Sequence, residues 1–99
     1  MRLSPESREI IRATTHEVFG QDAQVRLFGS RTDDSRRGGD TDLLVELPSP
    51  RADTRRKSLT LVAKLQMRLG DQPIDVLVID PESPPGAVRR VAKATGEPI

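Results

Sequence analysis

The sequence predicts a small mixed α/β (α+β) domain, a sheet of at least three strands with helices packed on it, in the order α-β-β-α-β-α. Three observations predict it. Two long stretches repeat their apolar residues at helical spacing, and a shorter one follows near the C-terminus. Three runs of Val, Leu and Ile have strand length. Gly and Pro punctuate the joints between them. With 99 residues, the chain is expected to form one domain over 1–99.

The first helix begins where Ser4 can accept from free amides, Pro5 suits the first helical position and Glu6 suits the positive end. Ile10, Ile11, Thr14 and Val18 share a face and Gly20 is a stop, so the helix covers about 5–19. Val25-Arg26-Leu27-Phe28 is the first strand, halted by Gly29-Ser30. Residues 31–39 hold no apolar side chain and form an exposed connection. The second strand is Asp42-Leu43-Leu44-Val45-Glu46-Leu47, closed by Pro48-Ser49-Pro50. Leu59, Leu61, Val62, Leu65 and Leu69 predict a helix over about 52–69, ended by Gly70 and with its apolar side chains in the core. Pro73-Ile74-Asp75-Val76-Leu77-Val78-Ile79 is the third strand, and apolar residues on both its faces predict a central place. After the breakers Pro81, Pro84, Pro85 and Gly86, a short helix through Val88, Val91 and Ala92 is expected.

Topology follows from reach. A six-residue strand spans about 20 Å and the helix after it returns about 25 Å. Strand three should therefore start beside the start of strand two, parallel to it through a right-handed crossover. Strands one and two should be antiparallel. The end of strand one and the starts of strands two and three then meet at one edge.

Composition excludes several classes of function. Sixteen basic and 15 acidic residues leave a net charge of +1, too little for bulk electrostatic capture of nucleic acid. Two Phe with no Tyr or Trp offer little for base stacking, so direct nucleic-acid binding is not expected. No cysteine means no disulfide and no thiolate metal site. Apolar runs are too short to cross a membrane, and Ser4, Pro5 and Glu6 stand where a signal core would be. A cytoplasmic protein is the expectation.

Chemistry concentrates at the predicted edge. Asp40 and Asp42, two apart on a strand, project to one face, and Asp75 can add a third carboxylate from the neighbouring strand. Such acids repel unless they bind cations or protons, and hard oxygen ligands suit Mg²⁺. Gly29 allows close backbone approach, Ser30 adds a hydroxyl, and Arg31 can pair with a phosphate as a fork. Each feature has a plainer reading. Asp40 and Asp42 suit a turn after Gly38-Gly39, and Arg31 could pair with Asp33 or Asp34. An acid within a central apolar strand, as Asp75 is expected to be, costs several kcal/mol unless partnered. Arg36 and Arg37 read as solubilising loop residues. Arg55-Arg56-Lys57 reads as a solvated helix face, with contact to an acidic partner as the other reading. Lys64 and Arg68, four apart, could reach a phosphate, but the helix phase is open. His16 has no partner for a metal site.

The stretch Leu27-Phe28-Gly29-Ser30-Arg31, then Asp40-Thr41-Asp42-Leu43-Leu44-Val45, then Ile74-Asp75-Val76-Leu77-Val78 resembles the DNA polymerase β-like nucleotidyltransferase superfamily. Nine residues separate Ser30 from Asp40. The small size, together with Val88-Arg89-Arg90-Val91-Ala92 and Thr95-Gly96, is similar to the minimal nucleotidyltransferases, the MNT group. The resemblance implies the nucleotidyltransferase fold and transfer of AMP from ATP with two Mg²⁺ ions. Asp40, Asp42 and Asp75 would be the catalytic and metal-binding acids, with Gly29, Ser30 and Arg31 on the nucleotide. It further implies an antitoxin paired with a HEPN-domain RNase toxin, adenylylating a toxin tyrosine, binding the toxin, or both. A small-molecule nucleotidyltransferase is the weaker alternative, because larger relatives hold their acceptor on an extra domain.

Overall fold

A computed structural model describes residues 4–27, 41–83 and 97–99. Helix α1 (Pro5–Phe19) starts as its sequence predicts: Ser4 has extended backbone angles and its Oγ accepts from the Ser7 amide at 3.1 Å. It stops at Gly20, whose amide donates to the His16 carbonyl at 2.9 Å and whose φ of 101° favours glycine. Strands β1 (Gln24–Leu27) and β2 (Thr41–Glu46) follow, then helix α2 (Thr54–Leu69), strand β3 (Ile74–Ile79) and the short strand β4 (Glu97–Pro98). The sheet order is β3-β2-β1-β4.

Strand directions agree with the expectation from reach. β1 runs antiparallel to β2, with Leu27 opposite Leu43, and β2 runs parallel to β3, with Thr41 opposite Ile74. Alternation along these strands sorts the side chains to two faces. Val25, Leu27, Leu43, Val45 and Ile74 turn to one face and form a core with Ile11, Val18 and Phe19 of α1 and Leu61 and Leu65 of α2. Both helices therefore cover the same face. Two buried hydroxyls in α1 are satisfied locally, Thr14 donating to the Ile10 carbonyl at 2.6 Å and Thr15 to that of Ile11 at 2.7 Å.

Two expectations need correction. Among the described residues β3 is an edge strand, not a central one. Its middle residues Val76, Leu77 and Val78 are only half-buried, whereas β2 buries Leu43, Leu44 and Val45 on both faces. Continuous apolar character in a short run reports hydrophobicity, and a half-covered edge tolerates it as well as a centre does. Second, Leu59 is not in the core: it is 67% exposed. It lies two residues before Leu61, about 200° around the helix from the core-facing stripe. The sheet of at least three strands gains a fourth: β4 pairs antiparallel with β1, Leu27 opposite Glu97. Two residues including a proline carry no strand pattern, so the pairing comes from the open edge of β1. The expected helix through Val88, Val91 and Ala92 lies outside the described residues.

Candidate functional site

Asp42 is the second residue of β2 and Asp75 the second of β3, and the parallel register sets them directly opposite each other. Neighbouring strands lie about 4.8 Å apart, so two side chains on the same face at one register position are adjacent. That face is the one opposite the helices, because Asp42 alternates with the core residues Thr41 and Leu43, and Asp75 with Ile74 and Val76. Asp42 is half-buried and Asp75 exposed. The burial penalty expected for Asp75 is thus removed by its place on the edge strand. Its proximity to Asp42 is what needs explaining.

The chain enters β3 through a hydrogen-bonded turn. Gly70 closes α2 with a φ of 108°, and its amide donates to the Gln66 carbonyl at 3.0 Å. The Gln72 amide donates to the Gly70 carbonyl at 2.8 Å, and the Gln66 side-chain amide donates to the Gln72 carbonyl at 3.1 Å. From this turn two contacts cross to β2: the Thr41 amide donates to the Pro73 carbonyl at 3.0 Å, and the Thr41 hydroxyl donates to Gln72 Oε1 at 3.3 Å. Thr41 is itself buried. The first residue of β2 is tied to the approach to β3 just before the two acids. Sequence reading missed Gln72 and Gln66, and nothing in their spacing marks them.

A second row of polar residues shares the face. Arg26 of β1 stands opposite Leu44, and its Nε lies 3.0 Å from Glu46 Oε1. Each sits alone in an apolar run, so local sequence gives neither a partner. Strand parity, which places Arg26, Asp42 and Glu46 on one side, is the signal that could have found them.

Of the predicted site residues, the structure brings together Asp42 and Asp75. Gly29, Ser30, Arg31 and Asp40 lie outside the described residues, as do Asp33, Asp34, Arg36 and Arg37. Among the described residues no group of three His, Cys, Asp or Glu side chains could hold a metal ion. Two carboxylates in register still form the oxygen donor set that a hard divalent cation takes, with water and phosphate oxygens completing its shell.

Lys64 and Arg68 have a structural role. Both turn to α1, where Lys64 Nζ lies 3.0 Å from Glu17 Oε2 and Arg68 Nη1 lies 3.1 Å from Glu17 Oε1. Arg68 also donates to the Thr14 hydroxyl at 2.8 Å. The hydrogen bond from Lys64, then that from Arg68, hold the Glu17 carboxyl below the ordinary carboxylate range. His16 is half-buried, with Nε2 3.2 Å from the Ala23 carbonyl, and belongs to the α1–β1 joint. No described helix is long and apolar enough to cross a membrane.

The architecture and the sequence both have known counterparts. A family model described as the nucleotidyltransferase domain matches residues 8–95. A crystal structure of a protein provisionally described as a nucleotidyltransferase superposes with a TM-score of 0.59 at 19% identity, covering 97% of this chain and 99% of that one. At that identity the likeness is one of fold. No curated protein matches the chain.

Proposed function

Since the chain belongs to the nucleotidyltransferase domain family, we propose that it moves AMP from ATP to a hydroxyl of a partner protein, a HEPN-domain RNase toxin, and so acts as an antitoxin. The observation that carries the catalytic part is the register of Asp42 and Asp75, two acids set side by side at the strand starts on the face opposite α1 and α2. Their attraction for Mg²⁺ is the fit argued above, and two such ions, when bound, supply positive charge to the attacking and leaving oxygens of a phosphoryl displacement.

The chain's own residues divide the remaining work. Asp42, half-buried and flanked by the tethered Thr41, is the fixed ligand, and Asp40 joins it by strand alternation in the sequence. Asp75, exposed on the edge strand, is open to an arriving acceptor and takes the proton of its hydroxyl. The hydroxyl oxygen forms a bond to the α-phosphorus, the bond from that phosphorus to the bridging oxygen breaks, and pyrophosphate leaves. Gly29 and Ser30 cradle the outgoing phosphates and Arg31 balances their charge, on the motif alone.

Intact-mass spectrometry tests the reading. A candidate HEPN partner mixed with the protein, ATP and Mg²⁺ should gain one or more AMP units, on tyrosine in particular, and Asp42→Ala should abolish the gain. A partner silenced equally by both forms, with no gain in mass, would make the protein a stoichiometric binder.

A further inference from the structure

Helix α2 carries five cations, Arg55, Arg56, Lys57, Lys64 and Arg68, and no carboxylate between Thr54 and Leu69. Three of them have internal duties. Lys64 and Arg68 pair with Glu17, while Lys57 donates to the Val18 carbonyl at 3.1 Å and lies 3.8 Å from Asp53. Arg55 and Arg56 are exposed, and neither forms an ion pair or hydrogen bond through its side chain with a described residue. Their position is also locally unfavourable. They stand in the first turn, where the helix dipole disfavours positive charge, with no acid in that turn and no side-chain cap from Asp53. A local rule broken without a structural gain points to a function.

What lies beside them has the opposite character. Leu59 is 67% exposed and Met67 is 85% exposed, and these are the large apolar side chains that the described residues leave in solvent. Arg55, Leu59, Ala63 and Met67 recur every four residues, so they form one row on the outer face of α2. A shallow hollow lined by Glu17, Val18, Arg56, Lys57, Thr60 and Lys64 runs next to it.

We infer that this outer face of α2 is a docking surface for an acidic, amphipathic protein segment, whose carboxylates meet Arg55 and Arg56 and whose aliphatic side chains cover Leu59 and Met67. Charge complementarity selects an acidic occupant. The aliphatic row selects protein over nucleic acid, since a phosphate backbone offers nothing to leucine and methionine. The face lies across the helix layer from Asp42 and Asp75, so an occupant leaves the carboxylates open. The inference stands whether or not AMP is transferred.

The test uses neither nucleotide nor metal. Isotope-labelled full chain is titrated with a peptide of about 20 residues bearing Glu and Leu at helical spacing, and separately with a single-stranded RNA oligonucleotide. The peptide should move the amide signals of Arg55 to Met67, more weakly as salt rises. Both Arg55→Glu with Arg56→Glu and Leu59→Ser with Met67→Ser should weaken binding about tenfold or more. The charge-reversed variant should meanwhile keep or raise its Tm, because acids suit that turn. Any of four results overturns the inference: no shift on α2 at millimolar peptide, the same shifts from RNA alone, self-association abolished by Leu59→Ser with Met67→Ser, or a Tm several degrees lower on charge reversal.

Discussion

At the scale of single residues the pairing of Asp42 with Asp75 governs behaviour. Like charges directly opposed across two strands cost about 0.2–1 kcal/mol. Asp75→Asn should therefore leave the fold intact and raise the metal-free Tm by roughly 1–5 °C, read by scanning calorimetry without divalent ions. Added Mg²⁺ should stabilise the unsubstituted protein more than the variant, because the cation offsets the same repulsion. Asp42→Ala removes the proposed metal ligand in place of softening a repulsion, and should lower transfer activity by about 10³-fold, equivalent to about 4 kcal/mol of barrier. Gln72→Ala is a gentler probe. It deletes the acceptor of the Thr41 hydroxyl, and should cost about 1 kcal/mol in urea denaturation while weakening Mg²⁺ binding measured by calorimetry. Unchanged Mg²⁺ affinity would show that the turn does not position the acids.

At the scale of elements, ion pairs at the rim add to the packing that holds the two helices together. Glu17 on α1 receives both Lys64 and Arg68 from α2, so its folded pKa lies below its unfolded one. A carboxyl shifted in that direction contributes stability above its unfolded pKa, and the contribution disappears as pH falls through the folded value. Glu17→Gln should accordingly be less stable than the parent at neutral pH and equal to it in strong acid, as urea denaturation at both pH values will show. Gly70 is the other control point. No atom lies within 4 Å of a Cβ placed there, so Gly70→Ala tests the backbone angle alone and should cost about 1 kcal/mol or more. How well the elements could be read from the sequence depends on where their information resides. Ser4, Pro5, Gly20 and Gly70 act on their immediate neighbours, and both helices end where those residues say. The rank of β3 in the sheet and the existence of β4 are decided by which edges are left open, which no local pattern encodes. Leu59 was misplaced for a related reason: hydrophobic residues were counted without their phase.

At the scale of the whole molecule, one sheet presents two faces with different tasks. One is sealed by α1 and α2, and the other carries Asp42, Asp75 and the Arg26–Glu46 pair. Alternation made this legible for the acids of β2 and β3. Gly29, Ser30 and Asp40 remain as motif, since they lie outside the described residues. The division predicts that association and chemistry can be separated by mutation. Asp42→Ala should bind a protein partner with unchanged affinity while transfer falls by about 10³-fold. Charge reversal at Arg55 and Arg56 should lose affinity for the partner yet still release pyrophosphate from ATP when a small hydroxyl acceptor is supplied at high concentration.

The edge position of β3 has a bearing on exchange dynamics. Among the described residues β3 is hydrogen-bonded on one side only, and such a strand opens locally at a lower free energy than its interior neighbour, so amides of β3 should exchange with solvent sooner than those of β2. Asp75 rides on that looser strand and Asp42 on the tighter one. Whatever bridges the two acids must therefore suppress the fraying of β3, and its binding energy is diminished by the work of doing so. Amides from Val76 to Ile79, which need not touch the ligand, become its reporters. Slowed deuterium uptake along β3 on adding Mg²⁺ and nucleotide would register occupancy as a closing seam at the margin of the sheet.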